Sequence, residues 1–95
     1  MYASIIELQF KPGSMQAGLD HVVALRPQLV QIDGLNQMIS IDRGDDMVTV
    51  VVIYDSKAQR EAATEQAQTV LAGIAEFVVA PPKRQGFEIL LNEKY

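Results

Sequence analysis

The spacing of apolar and polar positions changes several times along this chain, and each change marks an element. Tyr2 to Phe10 alternates with period two. Tyr2, Ser4, Ile6, Leu8 and Phe10 share one face, and Ala3, Ile5, Glu7 and Gln9 the other, which predicts a strand with one apolar side. Lys11-Pro12-Gly13 stops it, and Ser14 is placed to cap a helix by accepting from free backbone N–H groups. From Met15 the period becomes helical: Met15, Gly18, Leu19, Val22, Leu25 and Leu29 form a stripe, with Val23 and Val30 beside it. Pro27 has no N–H to offer the Val23 carbonyl, so the helix either kinks there or its second half is a separate turn.

Asp33-Gly34 closes the helical segment. Leu35 to Asp42 then reads as a strand, with Leu35, Gln37, Ile39 and Ile41 on one face and Asn36, Met38, Ser40 and Asp42 on the other. Arg43-Gly44-Asp45-Asp46 is a hairpin turn signal. Met47 to Tyr54 follows, apolar on both sides: Val48, Val50, Val52 and Tyr54 on one, Met47, Thr49, Val51 and Ile53 on the other. Such a strand belongs in the middle of a sheet that is covered twice. Asp55 or Ser56 caps the next helix, Lys57 to Gly73, whose stripe of Ala63, Ala67, Val70, Leu71 and Ile74 is rich in alanine. Gly73 can end it, with Ile74 to Val79 as a short extra turn before Pro81-Pro82. Phe87 to Leu91 is the last predicted strand, and Asn92 to Tyr95 a tail.

The order β-α-β-β-α-β, joined by right-handed crossovers, predicts an α+β, ferredoxin-like fold. It is a four-stranded antiparallel sheet with both helices on one face and the first and third strands central. Both helices then cover one side, while Met47 to Tyr54 is apolar on the other as well. A second copy packed sheet to sheet is the simplest cover, so a homodimer is expected.

Composition narrows the picture. The chain has 95 residues, enough for a single domain spanning 1–95, and nothing in it reads as a repeat or linker. Hydrophobic residues make up 48 %, which leaves apolar surface in search of a partner. The net charge is −4 and basic residues are scattered, which argues against nucleic-acid binding. There is no cysteine, and hence no disulfide framework or thiolate chemistry. No apolar run approaches the ~18–20 residues of a membrane span, and no basic-then-apolar leader opens the chain, so a cytoplasmic location is the expectation.

Several short motifs resemble the dimeric α+β barrel superfamily, and within it the antibiotic-biosynthesis-monooxygenase-like group. They are Phe10-Lys11-Pro12-Gly13, Asp33-Gly34-Leu35, Val52-Ile53-Tyr54-Asp55-Ser56 before an alanine-rich helix, and Ala80-Pro81-Pro82 before the last strand. The resemblance spans essentially the whole chain. It implies two ferredoxin-like subunits joining their sheets into a barrel, each with a cavity between sheet and helices. Some members oxidise aromatic or quinol-type substrates with molecular oxygen and no cofactor, others degrade haem, and many have no established role. The chain departs from the group at Tyr54, where Trp is common, and His21 is its only histidine. Cofactor-free oxygenation of a small aromatic molecule is therefore the activity the resemblance implies, with no cofactor and no metal expected. A ligand-binding or regulatory module of the ACT-like kind and a structural dimer without ligand are the alternatives.

Three residues are candidates for chemistry. The Tyr54 hydroxyl could orient or deprotonate a phenolic substrate, against the plainer reading of a core-edge tyrosine with a wet hydroxyl. Arg26 falls on the apolar stripe of the first helix and could hold a carboxylate or enolate oxygen; alternatively Pro27 shifts the helical phase and Arg26 reaches solvent or an acidic partner. His21 could serve as a general base, against a half-exposed surface histidine. Leu8, Phe10, Val22 and Phe77 are the expected lining of the substrate pocket. Glu7 and Gln9 face away from the helices, where the subunit interface is expected.

Overall fold

The computed structural model describes residues 1–95. Its elements are β1 (Tyr2–Gln9), α1 (Met15–Ala24), α2 (Arg26–Leu29), β2 (Leu35–Gly44), β3 (Met47–Tyr54), α3 (Lys57–Ala62), α4 (Thr64–Ile74) and β4 (Arg84–Glu88), with a 3-10 turn over Ala75–Phe77. The sheet runs β2-β3-β1-β4, and every pairing is antiparallel. This is the expected ferredoxin-like α+β fold, with β1 and β3 central.

β3 has the bounds its pattern predicts. Val48, Val50, Val52 and Tyr54 are all buried, as are Ile6, Leu8 and Phe10 on β1 and just beyond it. Against them pack Ala63 and Ile74 from the second helical segment, with Met15, Val22, Ile32 and Leu71 more peripherally. Each such side chain removed from water is worth roughly 1.5–3 kcal/mol, which makes this sheet–helix layer the source of stability. Asp45 and Asp46, both at positive φ (53° and 62°), form the tip of the β2–β3 hairpin. That twist matches the strands, and aspartate tolerates it.

Several boundaries differ from expectation for physical reasons. Pro27 divides the first helical segment by starting the separate short turn α2, where its missing N–H is no loss. The Ser14 side chain makes no capping bond; its carbonyl accepts from Gly18 N instead. Val23 and Val30 lie on the solvent side, 70 % and 65 % exposed. The second helical segment breaks at Ala63 and ends at Ile74, so Gly73 lies inside α4. Ser56 does cap α3, accepting from Gln59 N at 3.1 Å. β2 continues to Gly44 and carries a register shift between Leu35 and Gln37, a bulge at Asn36. The bulge turns Leu35 onto the helix side beside Met38, away from Ile39 and Ile41. Finally, β4 is Arg84–Glu88 rather than Phe87–Leu91. Leu90 and Leu91 lie beyond it, largely exposed.

The far side of the sheet has no cover. Ile39 and Ile41 on β2 and Phe87 on β4 are 38 %, 44 % and 52 % exposed, around the half-buried Met47, Val51 and Ile53 of β3. Within this face Thr49 Oγ1 donates to Glu7 Oε2 at 2.8 Å and accepts from Arg43 Nη1 at 2.9 Å. No helix is long and apolar enough to cross a membrane.

Candidate functional site

Between the sheet and the helices lies an apolar space in two lobes of about 50 Å³ each. Ile6, Val52 and Met38 from the sheet and Val70 and Leu71 from α4 line both lobes. One lobe runs toward Leu19 and Ile74, and the other toward Tyr54 and Arg84. Each is well under the ~150 Å³ that admits benzene in a protein core. An aromatic ring therefore enters only if Met38 and Leu71, both half-buried and flexible, swing aside.

The polar end of this space is built by five elements, β1, β3, α3, α4 and β4. Register places Arg84 opposite Ile6, on the helix side of β4. Its Nη1 donates to Thr64 Oγ1 at 3.0 Å, and its Nη2 to the Arg60 carbonyl at 2.9 Å and the Tyr54 hydroxyl at 3.4 Å. The guanidinium also lies 5.9 Å from the Tyr54 ring centroid. Beside it Arg60, on α3 and buried, donates from Nε to the fully buried Ser4 Oγ at 2.8 Å. Gly86 makes room for this: a Cβ there would come within 2.8 Å of the Arg60 guanidinium carbon. Because the Tyr54 oxygen accepts from Arg84, its own proton is free for a ligand oxygen, and the adjacent guanidinium favours negative charge there.

Similarity to solved structures agrees with this architecture. A protein of unknown function from Nitrosomonas europaea superposes with a TM-score of 0.79, at 22 % identity, covering 99 % of this chain and 93 % of the other. A candidate antibiotic biosynthesis monooxygenase from Bordetella bronchiseptica gives 0.77 at 17 % identity, over 95 % and 97 % of the two chains. A monooxygenase of Streptomyces coelicolor, in complex with the ligand nanaomycin D, gives 0.75 at 10 % identity, over 97 % and 92 %. This chain has the fold of the antibiotic-biosynthesis-monooxygenase-like group. No protein-family model matches the sequence, and no curated protein matches it either.

Within the monooxygenase-like fold the three candidate residues lie apart. Tyr54 borders one lobe of the cavity. Arg26 is exposed, on an open groove of about 440 Å³ between the α1–α2 segment and β2. That groove adjoins the Tyr54 lobe through Leu29, Leu35 and Met38. Arg26 pairs with no carboxylate. His21 packs its ring 6.1 Å from that of Phe77 and over Gly73. Of the four expected lining residues, Leu8 and Val22 border the second lobe. Phe10 is instead buried against Gly18, and Phe77 lies with His21.

Arg84, which borders the apolar lobe, and Thr64 and Arg60, which line the polar cleft beside it, are not among the candidates the sequence offers. Arg60 carries a readable signal, because it stands three residues before Ala63 and seven before Ala67, on the helix's apolar stripe. Arg84 carries none until β4 is known to begin there.

Proposed function

We propose that this chain is a homodimeric, small-molecule-binding protein of the monooxygenase-like fold, with cofactor-free oxygenation of an aromatic or quinol-type substrate as its activity. The observation that carries this reading is the apolar space ending in the Tyr54–Arg84 pair. A ring would displace Met38 and Leu71 and lie among aliphatic side chains, with its oxygen toward the Tyr54 hydroxyl. There the guanidinium stabilises the phenolate or enolate form, the form that gives electrons to molecular oxygen. A ring methylene exchanges two hydrogens for one oxygen atom, and the other oxygen atom leaves as water, so the substrate itself is the reductant. The ligand-bound Streptomyces coelicolor relative supports a small-molecule occupant. The uncovered face bearing Ile39, Ile41 and Phe87 supports the dimer.

One observation favours a second reading, a binding module without turnover. Tyr54, Arg26 and His21 do not converge, so no acid–base pair faces the cavity. Oxygen uptake on quinols and flavonoid-like phenols separates the two. The enzyme consumes oxygen and loses at least tenfold in rate in Tyr54→Phe. The binding module takes up the same compounds without oxygen consumption.

A further inference from the structure

We infer that the ligand of this protein is an anion, a carboxylate on an apolar body, and that Arg84 together with Arg60 is the subsite for the charge. The inference rests on the cavity being the binding site and adds the chemical class of what enters it.

Charge balance is the first argument. The chain holds one ion pair, Arg60 Nη1 to Glu61 Oε1 at 3.2 Å, and that carboxylate is 52 % exposed. Arg84 is half-buried and has no carboxylate partner. Its bonds go to a hydroxyl, a phenol and a main-chain carbonyl, all neutral. Holding a guanidinium away from water without a counter-charge costs free energy that a bound anion restores. Lys57 adds a third cation, its Nζ 5.9 Å from the Tyr2 ring centroid, where Arg60 also sits at 6.0 Å. With Glu61 set against these three cations, the corner keeps an excess of positive charge although the chain as a whole carries −4.

Access is the second argument. Arg60, Glu61, Thr64 and Arg84 line a polar cleft of about 340 Å³, in which Glu61 is paired to Arg60 and Arg84 is the cation without a carboxylate. Arg84 also borders the apolar lobe, and so does Leu71. A molecule entering by the cleft meets the guanidinium first and the aliphatic lining behind it. That geometry suits a carboxylate head bonded by the guanidinium hydrogens not already donated within the chain, with the apolar part inserted past Leu71. The corner is also built to hold its cations still. Ser4 fixes Arg60 Nε, and Gly86 lets that side chain lie close against β4.

The test compares 3-phenylpropanoate with its neutral amide, 3-phenylpropanamide, by calorimetry on the wild-type protein, Arg84→Gln and Arg84→Lys, with sodium sulfate as a body-free anion in thermal unfolding. The expected result is at least tenfold tighter wild-type binding of the carboxylate. The preference falls below twofold in Arg84→Gln and is partly kept in Arg84→Lys. Equal binding of the two compounds by the wild type overturns the anion subsite and leaves the cavity reading standing. A preference that survives in Arg84→Gln overturns the assignment to Arg84. If neither organic compound binds but sulfate raises the wild-type melting temperature, and not that of Arg84→Gln, the subsite stands and the cavity reading falls. No effect of any of the three on the wild type overturns the proposal.

Discussion

Arg84 Nη2 donates to the Tyr54 hydroxyl at 3.4 Å while the same guanidinium lies 5.9 Å from the Tyr54 ring centroid. The edge strand β4 and the central strand β3 thus meet at one phenol, across β1. Because that bond is long and Arg84 keeps Thr64 and the Arg60 carbonyl, Tyr54→Phe should cost under ~1 kcal/mol of stability. Thermal unfolding should show a change of no more than about 4–8 °C. A larger drop would mean that the hydroxyl holds the corner together, and that loss of activity in this variant is no guide to chemistry.

Ser4 and Arg60 test the same corner from the other side. Ser4 Oγ is the acceptor for Arg60 Nε at 2.8 Å, with both side chains buried. Ser4→Ala leaves a charged donor unpaired and should destabilise by about 1–3 kcal/mol. Adding Arg60→Met to Ser4→Ala should recover part of that, because an apolar chain of similar length asks for no partner. Urea midpoints of the single and double variants measure it. Strict additivity would show that the two residues are not coupled.

What the sequence revealed and what it hid follow from how each signal arises. Strong patterns sustained over a whole element are legible: β3, the strand order and the uncovered face all follow from which positions are apolar. The bulge at Asn36 is not, since one extra residue leaves composition unchanged and only inverts the alternation after it. The break at Ala63 lies in a run of good helix formers, so only packing against the sheet reveals it. The first three residues of β4 read as a loop because Arg84, Gln85 and Gly86 lack strand propensity, and they pair because β1 offers an edge. That displacement is why Arg84 gives no signal in the sequence. Arg26 stands on an apolar stripe in the sequence, yet α2 turns it outward. Arg60 stands on a stripe too and is the one that is buried.

Two glycines packed by helices should respond oppositely to alanine. A Cβ at Gly18 would come within 2.4 Å of the Phe10 ring, which is 1 % exposed and has nowhere to go. Gly18→Ala should therefore destabilise by about 1–3 kcal/mol despite better helix propensity. A Cβ at Gly73 meets His21 Nε2 at 2.6 Å, but that imidazole is half-exposed and can rotate away. Gly73→Ala should be neutral or stabilising by up to about 1 kcal/mol. Denaturant midpoints decide, and equal losses at both sites would refute the distinction.

Met38 lines both lobes of the cavity. Met38→Ala should merge them at a cost of about 2 kcal/mol, the low end for a core truncation because Met38 is only half-buried. The enlarged space should then take benzene, raising the melting temperature of the variant while the wild type responds less. No response in the variant would show that the helices close over the vacancy instead.

The uncovered sheet face gives the sharpest test of assembly. Ile39 pairs with Val51 in register, side chain away from the helices, and is 38 % exposed, so the isolated subunit tolerates a polar residue there. In a dimer joined through this face the same position is closed to water, and a carboxylate has no cation waiting for it. Glu7 and Arg43 are already linked through Thr49. Ile39→Glu should then weaken association by about 2–3 kcal/mol, or roughly 30- to 150-fold in dissociation constant. Val23→Glu, at an exposed position on α1, should leave association unchanged. Sedimentation equilibrium reads all three proteins, with the wild type expected at twice the subunit mass. A wild-type monomer at high concentration would remove the dimer from the proposed function, and a dimeric Ile39→Glu would move the interface elsewhere.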